Sequence, residues 1–436
     1  MVSMYLCLIF LFIILKNYIL IFSQLTILLF YLMFLINVEE DYFSVFSIWG
    51  FDLAGFVLSL LTLWISILIF LVIIFFNFNV KSLMNYMILL TLVLFMFFSS
   101  MNLMVFYLLF ELALIPIFFL ILGWGGISRI EAGIYMMIYA LISSLPFFGL
   151  IFYIDDYFKS LSFLILKMDK FFVESVLLNI LMILMFVLKL PLFMFHMWLP
   201  KAHVEAPVFG SMILAGILLK LGGYGVYNIY LICWGSLVLS DYLIFYSLIG
   251  MLFISWVCIF QLDLKVMIAY SSVIHMNMFL AGILTLSFIG YGGGLIMMIA
   301  HGLSSSGLFC LVNLSYLKIM TRNILINKGL MNMNNSLSLM WLILCLTNLG
   351  VPPFLNFFCE VMLLNSVLWW SNFSMIILFF ILLFNSYFNF QLFSFSQHGK
   401  YSEMFYFNLK LIDYMVLILH IYPLFLLIFC LDIFFM

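Results

Sequence analysis

Long apolar stretches follow one another along almost the whole chain and are separated by short polar turns. A run of about 20 apolar residues is long enough to cross a bilayer as an α-helix. The pattern predicts an all-α integral membrane protein with about fourteen transmembrane helices, at residues 2–16, 18–36, 53–76, 84–99, 101–122, 132–154, 177–198, 207–233, 242–261, 266–287, 290–316, 338–370, 373–396 and 411–434. The longest polar connections are 37–52, 155–176, 318–337 and 397–410. The first stretch has no basic region and no small-residue cleavage site, so we interpret it as a helix and not as a removed signal.

Composition supports the membrane interpretation. Of 436 residues, 68% are hydrophobic and only 7% are charged, whereas a soluble domain carries roughly 25% charged residues. The net charge of −2 gives no basis for nucleic-acid binding. The seven cysteines are scattered singly, with no CxxC spacing, which argues against a disulfide framework, a zinc site or an iron–sulfur cluster. Gly222, Gly223 and Gly225 follow an apolar helix and lack the GxGxxG spacing of a nucleotide loop. We therefore predict no cofactor or metal site in this chain.

The basic residues are distributed unevenly between the two sets of alternate loops. One set holds ten of the fifteen, whereas the other set holds Lys159, Lys167 and Lys170. Because loops rich in Lys and Arg stay on the cytoplasmic or matrix side, the first set is predicted to face the cytoplasm or the matrix. Both termini are then expected on the opposite side.

Four ionisable residues lie deep inside apolar stretches: Glu111, Lys189, Lys220 and Glu360. An ionisable group at mid-bilayer costs at least roughly 2.5–3.5 kcal/mol, and such groups are usually paired, hydrated or functional. The two carboxylates and two amines balance in sign, and they indicate a proton path. The alternative is that they only bridge helices.

Proline residues interrupt two of these helices. Pro191 follows Lys189, and Pro352 and Pro353 precede Glu360. Proline removes a backbone donor and breaks the helical hydrogen-bond ladder. Two interrupted helices in corresponding positions indicate an inverted-repeat transporter site.

The interrupted helices are the seventh and the twelfth, which are five helices apart. The spacing predicts a first five-helix repeat at 84–233 and a second, inverted repeat at 242–396. N-terminal helices at 1–83 and a C-terminal helix within 397–436 flank the two repeats.

Histidines extend the set of proton carriers, because imidazole titrates near neutral pH. His301 lies in a serine-rich stretch, and His275 lies in the preceding helix. Each is either a relay or a hydrogen-bonded packing residue. His196 and His203 flank the turn after helix seven and lie too close together for a haem pair held between two helices.

One run of sequence carries a specific resemblance. Residues 188–225 read LKLPLFMFHMWLPKAHVEAPVFGSMILAGILLKLGGYG. This run resembles the antiporter-like membrane-arm subunits of mitochondrial respiratory complex I, NADH:ubiquinone oxidoreductase. Supporting stretches occur in the same order as in that family, at 110–125, 261–276, 300–313 and 350–360.

The resemblance implies a proton-pumping subunit in the mitochondrial inner membrane that carries no redox centre of its own. It implies a relay of Glu111, Lys189, Lys220, His301 and Glu360. We add His196, His275 and Glu205 as candidate supporting residues. The whole complex would use NADH, FMN, iron–sulfur clusters and ubiquinone. The implied partners are other membrane-arm subunits, especially the neighbouring antiporter-like chains, and lipids such as cardiolipin.

The chain departs from the family in the loop after the eleventh helix. Many relatives carry a histidine there, and this sequence has Met320 at that position. The departure puts any role of this loop in proton exit in doubt. Three other functions remain open at this point: a stand-alone cation/proton antiporter, a structural membrane subunit, and a chain that binds quinone.

Overall fold

The computed structural model describes residues 18–34, 42–46, 48–75, 81–169, 176–232, 237–399 and 409–434. Within these ranges the chain is almost entirely helical, apart from an antiparallel hairpin of β1 (Tyr42–Phe46) and β2 (Trp49–Asp52). The N-terminal half contains α1 (Tyr18–Phe34), α2 (Leu53–Phe75), α3 (Lys81–Phe98), α4 (Leu103–Trp124), α5 (Arg129–Phe158), α6 (Phe163–Asp169), α7 (Val176–Lys189), α8 (Trp198–Glu205), α9 (Val208–Ile213) and α10 (Leu219–Ile232).

The C-terminal half continues the bundle. It contains α11 (Leu237–Ile259), α12 (Leu264–Leu284), α13 (Phe288–Ile319), α14 (Leu330–Met333), α15 (Asn335–Leu349), α16 (Leu355–Trp370), α17 (Ser374–Gln397) and α18 (Leu411–Leu426). Nine spans in the described part of the chain are long and apolar enough to cross a membrane, and five shorter apolar helices accompany them. Thirteen of the fourteen predicted segments contain a helix, and the first, 2–16, lies outside the described residues.

Several elements lie where the sequence predicted only connections. The hairpin occupies part of 37–52, α6 lies within 155–176, and α14 lies within 318–337. These pieces are too short for hydropathy to distinguish them from turns. Predicted segment 338–370 is two helices, α15 and α16, with a non-helical stretch at Gly350–Phe354 between them.

Side-chain caps define helix starts in this apolar sequence. Asn102 accepts a hydrogen bond from the Met104 N–H at the start of α4, and Ser287 does the same for Gly290 at the start of α13. Such caps satisfy backbone donors that the helix itself leaves unpaired.

Helix α13 forms the centre of the bundle. Its apolar window is completely buried, whereas only 22% of the corresponding window at α18 is buried. Glycine and serine residues let the neighbouring helices approach α13 closely, as small residues do at helix contacts in membranes. The line of buried polar groups described below crosses this central helix.

Candidate functional site

Lys189 is the last residue of α7, and the chain leaves the helix directly after it. Residues 190–194 are not helical, and Met194 has a positive φ of 69° with ψ of −40°. The Lys189 side chain is buried, and its Nζ lies 4.1 Å from the centroid of the Phe110 ring. The break therefore leaves an amine against an aromatic face in the middle of the bundle.

Glu111 on α4 is the charged group that faces this amine. It is half-buried, and its carboxylate lies within electrostatic range of Lys189. The described residues contain three ion pairs with a nitrogen–oxygen distance of 4.0 Å or less, and Glu111 with Lys189 is not one of them. The two groups thus act on each other through space without a direct contact.

Lys220 lies near the start of α10, directly after a π-helical turn. The turn occupies Leu214–Leu218, between α9 and α10. Lys220 Nζ donates to the Ala215 carbonyl at 2.6 Å and lies 2.8 Å from His301 Nδ1. Turns of this type occur frequently at functional sites.

A close approach of two helices makes this contact reachable. A Cβ atom added to Gly302 on α13 would lie 3.1 Å from the Gly216 carbonyl oxygen of the π turn. A side chain at Gly302 would push the two backbones apart, and the distance between Lys220 and His301 would grow with them.

His275 and Glu360 continue the line beyond His301. The rings of His275 and His301 are 5.7 Å apart between centroids, and His275 Nδ1 lies 3.6 Å from Glu360 Oε1. Glu360 lies on α16, and its carboxylate fills the space beside Gly350, where a Cβ atom would overlap it. Gly350 has φ of 70°, a conformation that glycine adopts without strain.

The predicted residues therefore form two groups. One is the line of Lys220, His301, His275 and Glu360, in which Lys220 and His301 are in hydrogen-bond contact and the other neighbours lie close to each other. The other is Lys189 with Glu111. The two groups lie next to each other where α10 packs against α7. A Cβ atom on Gly222 of α10 would lie 3.0 Å from Lys189 Cβ.

A family model matches the part of the chain that holds these residues. The model describes the transmembrane part of NADH:quinone oxidoreductase and Mrp antiporters, and it matches residues 100–385. The chain belongs to the NADH:quinone oxidoreductase/Mrp antiporter family. All five residues predicted for the relay lie within the matched range.

Individual members of the family are close in sequence. The chain is 43% identical over 408 residues to NADH-ubiquinone oxidoreductase chain 4 of Ceratitis capitata, and the match covers 91% of each protein. It is 47% identical over 323 residues to chain 4 of Aedes aegypti, covering 73% of this chain and 72% of the relative.

A solved structure shares the fold. A chain in the structure of respiratory complex I from Thermus thermophilus with bound NADH superimposes with a TM-score of 0.87 and covers 97% of this chain and 94% of its own length. The sequence identity is 20%, so this match shows a shared fold and not the role of any residue.

The three supporting residues have different surroundings. His275 lies inside the line itself. His196 is buried in the turn after the break, stacked on Phe193 with 5.8 Å between ring centroids. Glu205 accepts a hydrogen bond from the Ser128 N–H at 3.1 Å, and its own carbonyl accepts one from the Gly126 N–H at 3.0 Å. Glu205 therefore attaches α8 to the turn between α4 and α5, and no contact joins it to Lys189 or Lys220 within the described residues.

Met320, which the sequence analysis takes as a departure from the family, is an exposed residue with φ of 58° that follows the end of α13. Its loop contacts α8 through Arg322, which donates to the Val204 carbonyl at 2.8 Å. The side chain at position 320 thus takes no part in the contact that attaches this loop.

Two buried groups near α8 were not selected from the sequence. The His203 ring is fully buried and lies parallel to the Phe309 ring at 4.6 Å. Lys265 is also buried and donates to the Ala206 carbonyl at 3.0 Å. The run of Pro, His and Glu around His203 looks like an amphipathic turn, and only the tertiary packing shows that this turn is covered.

Proposed function

We infer that this chain is an antiporter-like, proton-translocating subunit in the membrane arm of respiratory complex I. It is a multi-pass protein of the mitochondrial inner membrane and works as one subunit of a proton-translocating NADH:ubiquinone reductase. The redox chemistry of NADH, FMN, iron–sulfur clusters and ubiquinone takes place on other subunits. The observation that carries the proposal is the line of titratable groups from Lys220 to Glu360 across the fully buried helix α13.

Lys220 and His301 are within hydrogen-bond distance, and the other two transfers in this line would pass through a bridging water. Glu360 as a carboxylic acid gives a proton towards His275 Nδ1 and becomes a carboxylate. An imidazole accepts a proton on one ring nitrogen and releases one from the other. His275 and His301 can therefore carry the charge in turn, and the Lys220 amine accepts the proton from His301 Nδ1 and passes it on towards Lys189.

Lys189 and Glu111 form the loading pair of the proposal. In a buried site, a nearby carboxylate favours the ammonium form of a lysine, and burial alone favours the amine. A change in their separation would therefore switch Lys189 between binding and releasing a proton. Because the charged atoms are not in direct contact, the proton would cross between them through a bridging water.

The orientation and the partners belong to the same proposal. We place the face that carries Lys201 in the matrix and both termini on the intermembrane-space side. Hydrogen bonding to Glu131 raises the pKa of Lys201, so Lys201 stays charged at this face at physiological pH. The apolar faces of α17 and α18, which are mostly unburied within the chain, would contact the neighbouring antiporter-like subunits and lipids such as cardiolipin.

The proposal is tested by Lys189→Met in the intact complex reconstituted into vesicles. Methionine keeps the apolar volume but cannot bind a proton, so the number of protons pumped per NADH oxidised should fall. The matched control is Lys201→Met, which removes an exposed lysine and should leave the ratio unchanged. A normal ratio in an assembled Lys189→Met complex would rule out proton loading at this lysine.

A stand-alone cation/proton antiporter is the second candidate, since the matching family includes Mrp antiporters. Purification distinguishes the two functions. Co-isolation with iron–sulfur subunits and NADH oxidation activity supports the complex I assignment, and isolation without them supports the antiporter.

A further inference from the structure

A second buried cluster of charged and polar groups lies at the opposite end of the bundle from Lys201. Asp52, at the junction of β2 and α2, is buried, and its Oδ1 accepts hydrogen bonds from the Gly55 N–H at 2.9 Å and the Tyr224 hydroxyl at 2.8 Å. Its Oδ2 lies 4.0 Å from Lys167 Nζ. Lys167 also donates to Asn228 Oδ1 at 3.1 Å. We call Asp52, Lys167, Tyr224 and Asn228 the outer cluster.

Helix α4 fixes where the outer cluster lies in the bundle. The chain just before α4 pairs with the segment that leads to α6, through the bridge between Asn102 and Ser162. The turn after α4 contacts Glu205, close to Lys201. Because a helix of 22 residues is about 33 Å long, the two ends are separated by about the thickness of a membrane core. The outer cluster is therefore on the predicted intermembrane-space side.

The same cluster is connected to the centre of the bundle by α10. Tyr224 follows Lys220 by about one helical turn, and Asn228 follows by about two turns, a rise of roughly 12 Å. The outer cluster thus lies between the central lysines and the intermembrane-space face.

Four aromatic rings separate the rest of the outer cluster from Lys189. We call Phe97, Phe106, Phe110 and Tyr224 the aromatic barrier. The Tyr224 ring packs against Phe97 at 5.9 Å and Phe106 at 6.1 Å between centroids. Phe97 in turn packs against Phe110, at 6.1 Å, and the Phe110 ring lies under Lys189 Nζ. These rings are fully buried, so Lys189 is closed off from the outer cluster in this conformation.

Helix capping alone does not account for the cluster. The Gly55 N–H needs only one acceptor oxygen, which a serine or asparagine would also supply. A buried ion pair is often no more stabilising than apolar residues of the same volume. Burial also lowers the pKa of Lys167, while Asp52 acts in the opposite direction. A carboxylate that accepts a hydrogen bond from a phenol and lies 4.0 Å from an ammonium is suited to accept and release a proton.

We propose that the outer cluster is a second proton site, which receives the proton released by Lys189 when the aromatic barrier opens and passes it to the intermembrane-space face. Lys189 changes from ammonium to amine, and Asp52 changes from carboxylate to carboxylic acid. Tyr224 gives one proton to Asp52, takes one from the inner side and ends unchanged. Release of the proton from Asp52 to water restores the carboxylate beside Lys167. This inference rests on the proton-translocating function proposed above.

The test replaces Asp52 in the intact complex and compares protons pumped per NADH oxidised in vesicles. Asp52→Asn keeps an oxygen for Gly55 and Tyr224 but cannot take up a proton, so it should lose the same share of pumping as Lys189→Met. Asp52→Glu keeps a titratable carboxylate and should retain most of the pumping. The control is Asp241→Asn, at an exposed acidic residue near the start of α11 that accepts a hydrogen bond from Trp370, and it should pump normally.

The outcomes separate this inference from the proposed function. If Lys189→Met reduces the ratio and Asp52→Asn does not, the outer cluster is only structural and the inference is wrong. If Lys189→Met also pumps normally, proton loading at Lys189 is wrong, and the inference that rests on it is wrong as well. Should the Asp52→Asn complex not assemble, Tyr224→Phe replaces it, because it removes the hydroxyl and keeps the ring packing. The same loss is then expected, and normal pumping overturns the inference.

Discussion

At the scale of single residues, the contact between Lys220 and His301 is the centre of the account. Its 2.8 Å distance brings two nitrogens that can exchange one proton into hydrogen-bond range. The helix on either side is apolar and fully buried, so this proton cannot be taken up by bulk water. The two groups are therefore suited to pass a proton along the bundle and to prevent its loss.

His275 is predicted to be as necessary as the groups on either side of it. His275→Asn should interrupt transfer between His301 and Glu360, because an amide does not titrate near neutral pH. The proton-to-NADH ratio should fall to the level of Glu360→Gln. His420 is the matched control, since it is also buried but bonds only to the Val416 carbonyl of its own helix.

His420→Asn should leave the ratio unchanged. If His275→Asn pumps as well as His420→Asn, the proton does not pass through His275.

The sequence allowed us to predict which residues carry the chemistry, but not which of them are in contact. Glu111, Lys189, Lys220 and Glu360 are recognisable because charge in a long apolar stretch is costly. The position of His275 between His301 and Glu360 depends on how α12, α13 and α16 pack, which no local pattern encodes. The outer cluster was missed because Asp52 and Lys167 lie at polar turns, where charge is ordinary.

At the scale of helices, interruptions of regular structure position the reacting groups. Proline predicts the interruptions after α7 and before α16 because it cannot donate a backbone hydrogen bond. The π turn at Leu214–Leu218 contains no proline and has no comparable sequence signal. Its effect is the free Ala215 carbonyl that Lys220 uses, and it becomes visible only in the structure.

The aromatic barrier is predicted to prevent proton leak. Phe106→Ala should open a hydrated gap between Lys189 and the outer cluster, since narrow apolar constrictions close by excluding water. Vesicles that contain this variant should lose an imposed pH gradient several times faster without NADH. Removing a buried Phe costs roughly 3–5 kcal/mol of stability at many sites, so the control must carry a similar loss.

Phe388→Ala is that control, because Phe388 is fully buried on α17, far from α4 in the sequence and outside the aromatic barrier. An unchanged leak in Phe106→Ala, or an equal leak in both variants, would show that the barrier does not retain protons.

At the scale of the whole molecule, the fold class could be predicted from hydropathy, because the apolar stretches match the length of a bilayer crossing. The order of the helices in space could not be predicted. A helix that is apolar all round gives no direction in which to pack, and hydropathy alone does not show that α13 is the central helix. The glycine and serine residues of α13 are the available hint of its central position.

The count of fourteen crossings and the two inverted five-helix repeats, 84–233 and 242–396, stay predictions. The interruptions near Lys189 and before Glu360 occupy corresponding places in the two proposed repeats. If the repeats are real, Lys189 and Glu360 each lie at the interruption of one repeat. Lys220, His301 and His275 then lie between them. All the proposed relay residues then act in series on one proton path.

The proton-to-NADH ratio of the double variant Lys189→Met/Glu360→Gln, compared with both single variants in the assembled complex, tests this claim most directly. Groups that act as one unit give strongly non-additive losses. The account predicts that each single variant lowers the ratio and that the double variant lowers it no further than the more severe single one. Losses that add, or a normal ratio in either assembled single variant, would contradict it.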